Sequence, residues 1–333
     1  MRAPLAASIY TINRLPRSWP QIANGCPLCK RLWAKLSDEE RGIVFRHELQ
    51  PCKDNHGLFR YSITPPLAND ECEVAIWCRF EKEKEGVDYN KFGTLDLVPT
   101  RETTTGSGTT VTSSGTGSMK TLGLANQWLS DCVGNHETCN RNVDAGWLPT
   151  RLLHLSEDLQ SSSLMTAREL DAPALYAALS YCWGGDRFLK LAASNGRSLR
   201  RGRPIAELPK TFQEAMHACI ALGIHYLWSD ALCIIQEEDG LQDWIIEFAH
   251  MGQVYANATC VVAATTSNKP SEGLFRDQHD VDFSSTRVVL PPGILGPLLP
   301  GAYGVVPGRF WQDRVDLTSL NHRAWVLQER TLG

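Results

Sequence analysis

No stretch of the chain approaches the roughly 18 uninterrupted apolar residues that a membrane-crossing helix needs, so no membrane span is expected. The first residues make a poor secretory leader as well, because Pro4 interrupts the short apolar stretch Ala3 to Tyr10, and Arg14 and Arg17 follow it. Charge of one sign is scarce. The 33 basic residues nearly balance the 37 acidic ones, leaving a net charge of -4 and no general field toward nucleic acid or an anionic membrane. The one basic run, Arg197, Arg200, Arg201 and Arg203, is local, and reads either as a solvated loop or as a contact for phosphate or an acidic partner. A phosphate loop of the G-x-G-x-x-G type is missing, and Gly184-Gly185 alone is weak evidence for a dinucleotide. Cysteine, in contrast, is plentiful. Several of the 11 cysteines (Cys219, Cys233, Cys260) lie inside apolar runs, a pattern of buried free thiols rather than a secreted disulfide scaffold. A cytoplasmic location is the expectation.

With 333 residues the chain can bury a sizeable core, and its length favours two domains. Between Thr100 and Ser118, 16 of 19 residues are Ser, Thr or Gly, too little apolar surface to order a segment, which reads as a flexible linker over 100–118. It separates a Cys-containing N-terminal region (1–99), expected to be mainly helical, from a lead-in segment (119–174) and a C-terminal domain (175–333). Cys26 and Cys29, with two residues between them, precede a helical pattern, and His136 and Cys139 lie beyond the linker. These four donors could close a tetrahedral zinc site. Their separation by more than a hundred residues favours buried cysteines that simply pack the segment, and no cofactor is required.

From Leu175 the pattern becomes regular. Tyr176 to Tyr181 reads as a fully buried strand. Leu208-Pro209 then leads a helix with a Thr211-x-x-Glu214 capping box and an apolar stripe at Phe212, Ala215, Met216, Cys219 and Leu222, closed by Gly223. Ile224 to Trp228 and Thr259 to Ala264 are expected as second and third strands, and the helix between them carries a stripe at Trp244, Phe248, Met251 and Tyr255. This alternation predicts an α/β fold, a parallel sheet with flanking helices around a βαβαβ core. Ligands bind such sheets off the carboxyl ends of the strands. That rule gathers Trp183, Gly184 and Asp186 after the first strand, Asp230 after the second, and Glu247 early in the following helix, where a carboxylate is expected to be partly desolvated. Each residue also has a plainer role: Trp183 and Trp244 as core, Asp230 as a cap, Glu247 as a carboxylate favoured by the helix dipole. Cys182 or Cys233 with His225 would be a weak nucleophile and base pair, because nothing evident orients the imidazole.

These blocks resemble the fungal heterokaryon incompatibility (HET) domain family. The resemblance rests on Tyr176 to Gly184, Leu208 to Ala215, Leu222 to Gln236, Asp243-Trp244-x-x-Glu247 with Met251 and Tyr255, Gly273-Leu274-Phe275, and Arg323 to Arg330, six ordered blocks. It implies a role in non-self recognition, in which the domain triggers programmed cell death through self-association or other incompatibility proteins. Ala324 departs from the usual glycine, and the sequence stops at Gly333, where members of the family run on.

Ser180 to Asp186, Gly223 to Asp230 and Trp244-x-x-Glu247 also look like the first strand, second strand and glutamate-bearing helix of Toll/interleukin receptor (TIR) domains, some of which hydrolyse NAD. That second resemblance implies NAD as substrate, Glu247 as the catalytic carboxylate, Trp183 or Trp244 as an aromatic wall, and Asp186 or Asp230 on ribose hydroxyls. A carboxylate about 4 Å from a developing oxocarbenium offers roughly 4 kcal/mol at an effective dielectric near 20.

Overall fold

The computed structural model describes residues 115–136, 144, 146–170, 174–237, 240–277, 311–323 and 326–332, together with Asp38 and the strands named below. The chain divides into two compact units, Met1–Thr110 with Phe283–Trp311, and Val111–Asp282 with Gln312–Gly333.

The described part of the first unit is a sheet of β1 (Phe59–Thr64), β2 (Val74–Phe80), β3 (Thr94–Pro99), β10 (Arg287–Leu290) and β11 (Gly301–Pro307), in the order β1-β2-β3-β11-β10. Every neighbouring pair is antiparallel. The expectation of a mainly helical region thus meets strands over 59–99, while the helical pattern after Cys26 lies outside the described residues. Val74–Phe80 is a short, nearly continuous apolar run and Thr94–Pro99 a brief apolar alternation, and segments this short do not separate strand from helix or loop by periodicity.

The second unit is an α/β domain on a six-stranded mixed sheet, ordered β7-β5-β4-β8-β6-β9. Here β4 is Arg151–Leu155, β5 Ser161–Thr166, β6 Tyr176–Ser180, β7 Arg203–Pro204, β8 Tyr226–Trp228 and β9 Cys260–Ala263. The three expected strands are present and parallel, with β6 between β8 and β9. β4, β5 and β7 extend the sheet with antiparallel pairs, which makes the sheet mixed. All five residues of β6 are buried, which is why its sequence is a continuous rather than alternating apolar run.

Helices flank this sheet: α1 (Met119–Asn135), α2 (Gly196–Arg201), α3 (Lys210–Ala221), α4 (Asp230–Cys233), α5 (Gln242–Ala256) and α6 (Val326–Leu332). The Ser/Thr/Gly-rich segment is ordered at its carboxyl end: Gly115 bridges Asp277, the Thr116 N–H donates to the Arg276 carbonyl (2.9 Å), and Ser118 caps α1 by accepting from the Thr121 N–H (3.2 Å).

Helix α3 buries Phe212, Ala215, Met216 and Cys219, the stripe read from the sequence. The capping box is not formed. Helix α3 starts behind Pro209 with no side-chain cap, Thr211 is buried, and Glu214 turns outward from the helix end to serve another segment. Its Oε2 accepts the N–H groups of Leu274 (2.5 Å) and Phe275 (2.7 Å), and Lys210 Nζ lies 3.6 Å from Oε1. Two charge-assisted bonds to an otherwise orphaned turn outweigh one bond to a cap. Gly273 adopts φ +84°, and a Cβ there would stand 2.7 Å from Glu214 Oε2. Gly273→Ala is therefore expected to lower stability by about 2–4 kcal/mol through a left-handed backbone plus a clash, whereas Gly185→Ala, with open space around it, should change little. Urea denaturation of the two variants checks this.

Helix α5 differs from the reading of its periodicity. Trp244 and Phe248 are 38% and 36% exposed, with rings stacked at 4.9 Å, while Glu247, at 4% exposure, shares the buried face with Val254 and Tyr255. The stripe holds at Met251, packed on the core, and at the buried Tyr255, while the first turns bury Glu247 in place of Trp244 and Phe248 because a partner for the carboxylate lies inside.

Candidate functional site

The carboxyl ends of β6 and β8 carry a connected polar cluster. Trp183, in the loop after β6, donates its indole N–H to Asp230 Oδ2 (2.9 Å), and Asp230 Oδ1 accepts the Ala231 N–H (2.7 Å) at the start of α4. Two residues expected at the site from different strands thus meet. Lys190 Nζ stands 4.4 Å over the Trp183 ring, which is also edge-on to Phe188. Gly184 and Asp186 fasten the same loop to the one after β9. A Cβ on Gly184 (φ +57°) would lie 2.6 Å from Lys269 Cβ, and Asp186 Oδ2 accepts the Ser271 hydroxyl (2.6 Å).

The C-terminal segment supplies further groups. From α6, Glu329 reaches the last residue of β6 and accepts the Ser180 hydroxyl, and Arg323 donates to the Tyr181 carbonyl. The Glu329 carboxylate also interacts with Tyr255 of α5. Burial holds the Glu329 pKa above its ordinary value, against the pull of Ser180 and Arg323, and the nearby Asp230 charge adds to the rise. Burial raises Asp230 likewise, against bonds from the Ala231 N–H and the Trp183 indole and the nearby Tyr181 hydroxyl. Two carboxyls with raised pKa values, ringed by hydroxyls and one guanidinium, can hold or pass a proton. The hydroxyls of Tyr181 and Ser229 are buried without a well-aligned partner among the described residues, though Tyr181 lies within electrostatic reach of both Ser229 and Asp230. The Arg-Ala-Trp-Val-Leu-Gln-Glu-Arg block carries Glu329 and Arg323, and two earlier blocks carry Ser180 and Tyr255, but nothing in their spacing tied the four together.

Glu247 belongs to a second cluster. Arg151, on β4, forms a two-pronged pair with Asp243 (2.6 and 2.9 Å), donates to the Cys233 carbonyl (2.9 Å), and lies 4.0 Å from Glu247 Oε1. Asp243 also accepts the Ile235 N–H (2.8 Å). Burial works against the Arg151 charge, but Asp243 and Glu247 more than offset it and its pKa lies above the ordinary value. Trp244, beside Glu247 in sequence, lies instead on the exposed side of α5. Arg151 fell in the lead-in segment, where nothing in the pattern tied it to a carboxylate 92 residues away.

Of the zinc candidates, Cys26, Cys29 and Cys139 lie outside the described residues, and His136 ends α1, its N–H bonded to the Cys132 carbonyl (3.1 Å). Among the described residues no group of three or more His, Cys, Asp or Glu is set to hold a metal. Burial pushes the Cys233 thiol up to about 12 and Cys260 to about 11, and raises Cys182 despite Arg323, so these are poor nucleophiles at neutral pH.

This architecture defines a class: an α/β domain whose parallel strands β8-β6-β9 end in a buried polar cluster closed by a C-terminal helix. Residues 176–329 match the family model described as Heterokaryon incompatibility protein (HET), the family that the sequence blocks resemble. The matched span includes residues 283–311, which cluster with the other compact unit. No curated protein and no solved structure matches the chain.

Removing the Arg151 guanidinium would leave the buried Glu247 and the partly buried Asp243 without their cation. Arg151→Met is expected to cost about 3–5 kcal/mol in urea unfolding, and adding Asp243→Asn and Glu247→Gln should recover much of the loss. The raised Glu329 pKa has a defined sign. Its contribution to stability is complete below about pH 4.3, the ordinary value for Glu, and is lost as pH rises through the folded-state value. Wild-type unfolding midpoints should therefore fall, relative to those of Glu329→Gln, as pH is raised from acid toward neutral.

Proposed function

We propose that this protein acts in fungal non-self recognition, in the cytoplasm, by triggering programmed cell death through assembly or partner contact. The observation that carries this reading is the mutual bonding of the family blocks. Ser180 and Tyr181 of the first block are tied to Glu329 and Arg323 of the last, Trp183 to Asp230 of the third, and Glu214 of the second to the Gly273-Leu274-Phe275 turn. A pattern spent on internal ties builds a module of defined shape, whose output is contact with other molecules. The exposed apolar side chains Trp244, Ile245 and Ile246 on α5 supply surface for self-association or for another incompatibility protein.

The second reading makes the HET domain a TIR-like NAD glycohydrolase with Glu247 as its catalytic carboxylate. In its favour, a carboxylate is 4% exposed on the helix after the second parallel strand. Against it, Glu247 faces Arg151, whose guanidinium lies 4.0 Å from its Oε1. Glu247→Gln keeps shape and removes charge. In yeast expressing the chain or this variant, the assembly reading expects growth arrest to persist with NAD unchanged. Arrest abolished by the substitution, with NAD depleted only by the wild type, would replace it with the enzymatic reading.

A further inference from the structure

We propose that β9 is a self-association edge: it pairs antiparallel with β9 of a second copy of this chain about a twofold axis, joining the two six-stranded sheets into one. The two edges of the sheet are built differently. The sheet ends at β7 on one side and at β9 on the other. β7 consists of Arg203 and Pro204, a cation and a residue without an N–H, which are devices that keep a free edge from pairing. β9 carries neither. Among residues 248–268, which run from α5 through β9 into the loop beyond, none is Asp, Glu, Lys, Arg or Pro, although 21% of the chain is charged.

The register shows which groups this edge offers. Ser180 lies opposite Ala263, and the Ala264 N–H donates to the Ser180 carbonyl (2.9 Å). In a parallel ladder of that phase Cys260 and Val262 bond β6, so the N–H and C=O groups of Val261 and Ala263 point away from it, with no partner among the described residues. Donors and acceptors in such alternation are matched by another strand. A second β9 matches them in full. With the twofold axis at Val262, Val261 of one copy bonds Ala263 of the other, the two Val262 side chains meet as a cross-strand pair, and no like charges are opposed. The strand is half-buried rather than enclosed, and Ala263 is exposed. A ladder this short falls below the roughly 1,000 Å² expected of a specific interface. Helix α5, which leads into β9 through residues 257–259, supplies further apolar surface at Ile245 (61% exposed) and Ile246 (58%). The pairing deepens the assembly reading above, and rests on it only for its effect on cell death.

Sedimentation equilibrium of the full chain, run over a concentration series, is expected to show a monomer–dimer equilibrium. Val262→Cys places two thiols across the axis, in a non-hydrogen-bonded antiparallel pair whose Cα separation fits a disulfide, so mild oxidation should yield a covalent dimer well above the wild-type background. Ala263→Lys puts a charge on the exposed end of the strand, as natural edges do. It should weaken the dimer by about tenfold or more and leave the unfolding midpoint of the monomer unchanged. Hydrogen exchange over residues 260–264 should slow at high concentration in the wild type and not in the lysine variant. A wild-type chain that stays monomeric overturns the pairing, as does a dimer that Ala263→Lys leaves intact or that Val262→Cys fails to link. Growth of yeast expressing Ala263→Lys is the separate arm: a monomeric variant that arrests growth as the wild type does would count against assembly as the output, not against the edge.

Discussion

Strand β6 is buried along its whole length between β8 and β9, and that constraint organises the domain. A strand enclosed in this way can present polar groups only where it ends, so Ser180, the Tyr181 carbonyl and Trp183 have to find partners within the next few ångströms. The partners come from the rest of the chain. Asp230 arrives from the end of β8, Glu329 and Arg323 from the C-terminal segment, and the loop after β9 packs against Gly184 so closely that no Cβ would fit. Were β6 at an edge, water could satisfy these groups, and none of the long-range ties would be needed.

The same economy governs the second cluster. Arg151 gathers Asp243, Glu247 and the Cys233 carbonyl, and so joins the antiparallel half of the sheet, through β4, to the helix that follows the parallel half. A bidentate guanidinium pair is directional, which sets the rotation of α5. Trp244 and Phe248 are turned to the outside as a result, where they stack on each other. The apolar surface exposed on α5 is a consequence of burying a charge, and it is this surface that the proposed assembly would use.

How much of this was legible in sequence depends on the range of the interaction. β6, the stripe of α3 and the order of the parallel strands follow from local apolar periodicity, which is a property of neighbours along the chain. The capping box failed because Thr211 and Glu214 satisfy a local motif whose carboxylate is better used on the Leu274 and Phe275 N–H groups. The α5 stripe held at Met251 and Tyr255 but failed at Trp244 and Phe248, because periodicity counts apolar residues and has no means of knowing that Glu247 faces a cation. Strands β4, β5 and β7 were missed because short polar-alternating segments such as Ser161–Thr166 look like loop until a partner strand is in place.

By itself the sequence determined the α/β class, the position of β6, and the blocks that mark a HET domain, all of which depend on residue type and short spacing. Only the tertiary structure decided that Trp183 bonds Asp230, that Glu247 faces Arg151 rather than open solvent, and that Glu329 closes the end of β6 from 149 residues away. Pairing energies between buried polar groups act through space and only after the core has excluded water, so no pattern confined to the chain's own order can contain them.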